Sequence, residues 1–254
     1  MTGSLTVIGT GPGAPGQMTP EAALAATGAD EFFGYGPYLD RLELRPDQTR
    51  VASDNREELA RARSALERAA RGVRVAVVSG GDPGVFAMAA AVCEAVEAGP
   101  AAWRDIEITV VPGVTAMLAV AAKAGAPLGH DFCAISLSDN LKPWATIERR
   151  LEAVARAGFV VALYNPVSKA RPWQLGSAFE LLRGVLPDTT PVIFGRAAGR
   201  PDERITVATL GKADPGVADM ATCVIVGSPE TRIIARNGRA SLVYTPRFSA
   251  EAKR

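Results

Sequence analysis

Val73-Arg74-Val75-Ala76-Val77-Val78-Ser79-Gly80-Gly81-Asp82-Pro83-Gly84-Val85-Phe86 is the stretch on which the reading of this chain turns. Its first six residues are apolar apart from Arg74 and lack polar alternation, which predicts a strand buried on both faces, as in a parallel sheet. A turn rich in glycine follows, and then a helix expected over about 85–98. Open α/β sheets bind ligands beyond the carboxyl ends of such strands. Gly80 and Gly81 permit close approach to the backbone. Asp82 has an ordinary duty available to it as well, capping the helix with Pro83 at the first helical position.

The same grammar recurs on both sides. A short strand over 5–8 leads into Gly9-Thr10-Gly11-Pro12-Gly13-Ala14, and Thr19-Pro20-Glu21 opens a helix with Thr19 as its N-cap. A second strand is expected over 31–35 and a helix over 54–71, with Asp54 as cap, Glu57 three residues on and Gly72 as stop. Downstream, a strand over 106–111 runs into Val111-Pro112-Gly113-Val114-Thr115-Ala116, where an ordinary first-turn helix residue is the plain reading of Thr115. Gly125-Ala126-Pro127-Leu128-Gly129 has the composition of a linker. Beyond it, strands are expected over 132–137, 159–164, 191–194, 205–208 and 222–226, and helices over 146–157 and 172–183. Strands that follow one another with little helix between them predict a mixed sheet there. The fold class is α/β, in two α/β domains.

Bulk properties narrow the function. The 254 residues are 48% hydrophobic and 22% charged, an ordinary composition for a globular protein. With 28 basic and 27 acidic residues, the chain has no basic excess of the kind that nucleic-acid binders carry, so no nucleic-acid partner is expected. Cys93, Cys133 and Cys223 stand apart without metal-ligand spacing, which predicts no metal site and three core thiols in a reducing compartment. No apolar run approaches the roughly 20 residues of a membrane span, and no secretory leader is recognisable, so the expected place is the cytoplasm, with no membrane partner.

The first glycine loop formally fits the G-x-G-x-x-A fingerprint of a dinucleotide site. Pro12, Pro15 and Gly16 interrupt the region where the helix should begin, and proline offers no N–H to a phosphate. Asp30 and Glu31 fall at the start of the second strand rather than at its end, where a ribose diol would lie. A tight turn that needs glycine dihedrals is the plain alternative.

Taken in order and at this spacing, the three glycine-rich turns resemble the tetrapyrrole methyltransferase family, which pairs a G-x-G-x-G loop with a G-G-D-P turn and a P-G-x-[ST]-A turn. The resemblance covers nearly the whole chain. In the second half, His130-Asp131-Phe132-Cys133-Ala134-Ile135-Ser136-Leu137-Ser138-Asp139-Asn140-Leu141-Lys142-Pro143-Trp144 resembles the branch of the family that methylates precorrin-3B at C-17. Leu163-Tyr164-Asn165-Pro166-Val167-Ser168-Lys169-Ala170-Arg171 and Val226-Gly227-Ser228-Pro229-Glu230-Thr231-Arg232 do so too. Relatives that act on uroporphyrinogen carry Met where this chain has Asn165. They also carry a carboxylate near the end of the second strand, where this chain reads Gly34-Tyr35-Gly36, so that proton acceptor is not carried over.

The resemblance implies two α/β domains, 1–124 and 130–247, with an interdomain active-site cleft, usually in a homodimer. It implies S-adenosyl-L-methionine as cofactor, leaving as S-adenosyl-L-homocysteine. By position, Pro12, Gly80, Gly81, Asp82, Val85, Thr115, Ala116 and Asn165 match cofactor contacts. This cofactor has no phosphate, so the first loop, Gly11 included, is expected to shape the place of the macrocycle, together with Tyr35 and Ser138. The carboxylates of a tetrapyrrole call for charge-assisted donors, for which Lys142, Lys169, Arg171, Arg196 and Arg200 are candidates. Each of these reads equally well as a solvated surface cation.

In this branch, C-17 methylation is accompanied by ring contraction to precorrin-4, a step of cobalamin biosynthesis. Contraction moves protons, so it calls for an acid or base. His130, the one histidine of the chain, and Asp139 are the candidates, although a boundary histidine and a turn aspartate are ordinary readings of both. Three alternatives stay open at this point: the anaerobic counterpart acting on cobalt-precorrin-3, a nicotinamide-dependent oxidoreductase, and a binding module without chemistry.

Overall fold

In the computed structural model, residues 3–168 and 170–248 are described, and the chain divides into two units, Met1–Thr115 and Ala116–Arg254. The first unit runs β1 (Ser4–Gly9), α1 (Pro20–Gly28), β2 (Glu31–Tyr35), α2 (Gly36–Leu39), β3 (Thr49–Ser53), α3 (Glu58–Ala70), β4 (Arg74–Ser79), α4 (Met88–Ala98) and β5 (Glu107–Val111). Its five strands are all parallel, in the order β3-β2-β4-β1-β5. The unbroken apolar run of β4 is explained by its central place. Val75 and Val77 face the layer of α3 and α4, with Leu66, Val92 and Trp103, while Ala76 and Val78 face the layer of α1 and α2, with Ala22 and Leu39. Each fully buried valine or leucine stabilises the unit by about 1.5–3 kcal/mol relative to an exposed one.

Helix ends follow local chemistry. Thr19 Oγ1 accepts the Ala22 N–H at 3.1 Å, the expected N-cap of α1. Gly72 ends α3 at φ +93°, with its N–H on Ala69 O and that of Val73 on Arg68 O, a Schellman stop. Two expected helix starts are displaced. The helix expected from Asp54 begins at Glu58, because Arg56 takes φ +74°, although the Glu57 carboxylate does reach back to the Asp54 N–H at 2.9 Å as a capping box requires. The helix expected from Val85 begins at Met88, because Phe86 takes φ +52° and Ala87 is extended; Asp82 therefore does not cap it.

The second unit runs α5 (Ala116–Ala124), β6 (Gly125–Ala126), β7 (Phe132–Ser136), α6 (Trp144–Arg156), β8 (Val160–Tyr164), α7 (Gln174–Arg183), β9 (Pro191–Arg196), β10 (Arg204–Thr209), β11 (Thr222–Val226), β12 (Arg232–Arg236) and β13 (Arg239–Tyr244). The main sheet has the order β10-β9-β11-β8-β7 and is mixed as expected: β7 and β8 are parallel, and the other neighbours are antiparallel. One face carries α6 and α7 through Ile147, Leu151, Leu175 and Phe179. The other receives α5, whose Val120 lies where a Cβ on Gly195 would stand. That packing draws α5 into the second unit. The presumed linker is not free either: β6 pairs with β13, and Pro127 O accepts the Thr245 hydroxyl at 2.6 Å. Among the described residues, no helix is long and apolar enough to cross a membrane.

Candidate functional site

The carboxyl ends of β1, β4 and β5 bring the three glycine turns of the first unit together. Gly11 and Gly81, at φ +72° and +69°, exchange backbone hydrogen bonds: Gly11 N–H to Gly81 O at 3.1 Å and Gly81 N–H to Gly11 O at 2.8 Å. Both therefore need glycine for their own backbone. The Thr10 N–H and hydroxyl both donate to Ser79 O at 3.0 Å. With the Thr10 and Gly11 N–H groups so used, and none on Pro12, the first loop is not a phosphate cradle, and a nucleoside cofactor without phosphate fits its chemistry.

Asp82 binds the second turn to the third. One of its oxygens accepts from Gly84 N–H at 2.8 Å and the other from Gly113 N–H at 3.1 Å. A Cβ on Gly9 would stand 2.7 Å from Gly113 N and 2.8 Å from Pro83 Cδ, so the end of β1 is wedged between the other two turns. Val85 is half-buried with its N–H on Asp82 O, Thr115 and Pro12 are buried, and half-buried Ala116 begins α5. The space at Gly80 is taken by the protein itself: a Cβ there would lie 2.7 Å from the Tyr38 ring. Tyr38 in turn meets Tyr35 edge to face at 5.4 Å. Tyr35 lines a recess of about 630 Å³ with Gly36, Pro37, Ala52, Ser53, Asp54 and Glu57, at the carboxyl ends of β2 and β3.

In the second unit, the ends of β7 and β8 hold a polar group of their own. Asn165, at φ +51°, donates from Nδ2 to Ser136 Oγ at 2.9 Å, and Ser138 N–H also reaches that oxygen at 3.3 Å. Asparagine is among the few non-glycine residues that take this left-handed conformation readily, which suits Asn165 to the sharp turn at the end of β8. Asp139 is not isolated: Oδ1 takes Arg171 Nη1 and Gln174 Nε2, both at 2.9 Å. Two of the expected site residues, Asp139 and Arg171, thus form an ion pair, and both side chains are 22% exposed. Among the described residues, Arg171 Nε and Ser168 Oγ are buried without a hydrogen-bond partner in the same loop. Trp144 and Trp173 meet edge to face at 4.8 Å beside it. Tyr164 closes β8, and its hydroxyl accepts the Met117 N–H at 3.0 Å in the first turn of α5.

Other expected residues are placed elsewhere. His130 precedes β7 and its Nδ1 accepts the Asp131 N–H at 2.8 Å, whereas Asp139 follows β7. The five-residue strand keeps the two apart by roughly 17 Å, too far for one acid–base centre to use both. Arg196 is held between Asp219, at 2.7 Å, and Asp202, at 2.6 Å, which raises its pKa above the usual guanidinium range. Lys142 is half-buried, and burial, then Arg150, pulls its ammonium below the usual range. Arg200 has its N–H on Ala197 O, and Lys169 lies outside the described residues. Among the described cysteines, Cys223 is buried, Cys133 half-buried and Cys93 exposed, so Cys93 is not the core thiol that was expected. Among the described residues, no group of three His, Cys, Asp or Glu side chains is gathered to hold a metal.

Sequence reasoning missed Tyr38, Ser136 and Gln174, which are ordinary residue types without a motif. It also missed Arg61, for which a signal existed: a charged residue in the apolar stripe formed by Ala62, Ala65, Leu66 and Ala69 of α3.

Residues 4–214 match the family model of the tetrapyrrole (corrin/porphyrin) methylases. The chain is 73% identical over 252 residues to a Sinorhizobium protein named precorrin-3B C(17)-methyltransferase, with 99% of each chain covered. It is 51% identical to the solved structure of the methyltransferase CobJ, at a TM-score of 0.91, covering 96% of this chain and 100% of that one. The structure of uroporphyrin-III C-methyl transferase from Thermus thermophilus complexed with S-adenyl homocysteine is 25% identical, at a TM-score of 0.67, covering 89% of this chain and 97% of that one.

Proposed function

Since the chain belongs to the tetrapyrrole (corrin/porphyrin) methylases, we propose that it transfers a methyl group from S-adenosylmethionine to C-17 of precorrin-3B, with ring contraction to precorrin-4, in cobalamin biosynthesis. The observation that carries this reading is the full-length likeness to the Sinorhizobium protein of that name. When bound, S-adenosylmethionine supplies an electrophilic methyl group on a sulfonium centre. The protein's part is chiefly alignment of donor and acceptor carbons, which tight turns on rigid strands do well. In the first unit we assign cofactor contacts to Pro12, Gly80, Gly81, Asp82, Val85 and Thr115, and in the second to Ala116 and Asn165. Gly80 and Gly81 act through backbone and through Tyr38 and Gly11, since those neighbours already explain the missing side chains.

Toward the macrocycle we assign Gly11 and Tyr35 in the first unit, and Ser138, Lys142, Lys169 and Arg171 in the second. Arg196 spends its charge on Asp202 and Asp219, so it ranks behind Arg171 for a substrate carboxylate. Asp139 is our choice for the acid–base group of ring contraction, with His130 as the alternative. The paired Arg171 keeps the Asp139 carboxylate in place. We also read the protein as a cytoplasmic homodimer. The unpaired thiols of Cys93, Cys133 and Cys223 suit a reducing compartment, and light scattering at micromolar concentration should give twice the chain mass.

The first test is ligand binding. S-adenosylhomocysteine should raise the thermal midpoint, as any ligand of the native state does, and NAD(P) should not. A shift with NAD(P) alone would restore the oxidoreductase reading.

A further inference from the structure

Arg61 is 5% exposed, in the middle of the apolar stripe of α3. Its guanidinium meets neutral acceptors only: Nε donates to Ser53 Oγ at 2.7 Å, Nη2 to Asp54 O at 2.7 Å and Nη1 to Met88 Sδ at 3.3 Å. Among the described residues, no carboxylate stands within ion-pair distance of it. Burial pulls its pKa below the usual guanidinium value although Glu58 and Glu57 favour the charge from beyond that distance, and an apolar side chain would fill this stripe without that desolvation cost. Packing of α3 therefore does not account for a guanidinium here.

Its reach does. The three nitrogens fasten α3 to two places, the end of β3, which Glu57 at the helix N-cap also holds through the Asp54 N–H, and the start of α4. Ser53 and Asp54 are wall residues of the recess beside Tyr35. Met88 is the first residue of α4, directly after strained Phe86 and after Ala87, which lacks a side-chain cap bond. Ser53 accepts from Arg61, so its hydroxyl hydrogen stays available for a ligand in the recess.

We propose that Arg61 is a positioning residue for the turn over residues 79–88: it locks the start of α4 to the wall of the recess, so that the turn and the recess keep one fixed geometry. The cofactor arm of the test rests on the function proposed above, and the dynamic arm does not.

The test is Arg61→Met in the full chain, a change that keeps an unbranched stem in the apolar stripe and removes the charge and the donors. Hydrogen exchange of the ligand-free protein should be about tenfold faster at amides 84–90 and unchanged in the second unit. S-adenosylhomocysteine should bind about tenfold more weakly by calorimetry, with the thermal midpoint little changed. Should Arg61→Met fail to fold, Ser53→Ala keeps the cation and removes one anchor, and it should give the same exchange pattern at smaller size. Unchanged exchange at 84–90 in the folded variant overturns the proposal. So does an increase spread evenly through the first unit with a falling midpoint, the mark of plain structural support. If the unaltered protein does not bind S-adenosylhomocysteine, the cofactor reading falls and the exchange result alone decides about Arg61.

Discussion

The carboxylate of Asp82 accepts the backbone N–H of Gly113 at 3.1 Å, across 31 residues of chain, while its second oxygen accepts from Gly84 at 2.8 Å. A side chain that a sequence reader gives to helix capping thus joins two strand-end turns. Asn at this position has one acceptor oxygen instead of two, so one N–H loses its partner in either orientation. Asp82→Asn should cost about 1–3 kcal/mol, and each kcal/mol lowers the melting midpoint by about 2–4 °C in a domain of 150–250 residues. Affinity for S-adenosylhomocysteine should fall as well, measured by calorimetry below the melt. An unchanged midpoint would mean that the turns hold together without this carboxylate.

Gly80 and Tyr38 give a second prediction. Gly80→Ala pushes a methyl group into the Tyr38 ring, which a Cβ would approach to 2.7 Å. Overpacking of this kind costs about 1–3 kcal/mol. Tyr38→Leu should relieve much of it, so the double variant is more stable than the sum of the single effects, by about 0.5–3 kcal/mol of coupling in denaturant titrations. Strict additivity would show that the methyl group points elsewhere.

The Asp139–Arg171 pair separates two roles. As an acid–base group, Asp139 should matter to ring contraction by roughly 10²–10⁴ in rate when changed to Asn, with S-adenosylhomocysteine binding kept. Its ion pair with Arg171 is partly exposed, so the stability loss should stay near 1 kcal/mol. His130→Ala, at the far end of β7, should leave contraction close to normal. The carbon skeleton must be read by NMR, since rearrangement can conserve mass. Contracted product at the normal rate from Asp139→Asn would reduce this aspartate to the counter-ion of Arg171.

Thiol chemistry checks the second unit independently. Burial pushes the thiol of Cys223 up to about 12 and that of Cys133 up to about 11, so both stay protonated at pH 8. Thiolate is the reactive form, so a thiol reagent at that pH should modify exposed Cys93 quickly and the other two only on unfolding. Three fast equivalents would contradict the packing of β7 and β11.

Much of the fold was legible because its signals are local. The apolar run of β4 announced a doubly covered strand, Thr19-Pro20 announced a helix start, and Gly72 its neighbour's stop. The errors arose where backbone conformation broke a local rule: Phe86 and Arg56 adopt positive φ without being glycine, and both delayed a helix. The hairpin of β12 and β13 was passed over although Asn237-Gly238, with Gly238 at φ +67°, is a strong turn signal. At the site, residue types in motifs were legible, but their partners were not. Tyr38 behind Gly80, Ser136 behind Asn165 and Gln174 behind Asp139 are long-range contacts, which no spacing along the chain encodes.

The proposed reaction is methyl transfer to C-17 of a metal-free corrin precursor. Incubation of the protein with precorrin-3B and S-adenosylmethionine labelled with ¹³C at the methyl group, followed by mass spectrometry and NMR of the product, tests it most directly. One labelled methyl group on C-17 of a contracted macrocycle is the expected result. No transfer, transfer to another carbon, or transfer only to the cobalt-loaded substrate would contradict the account.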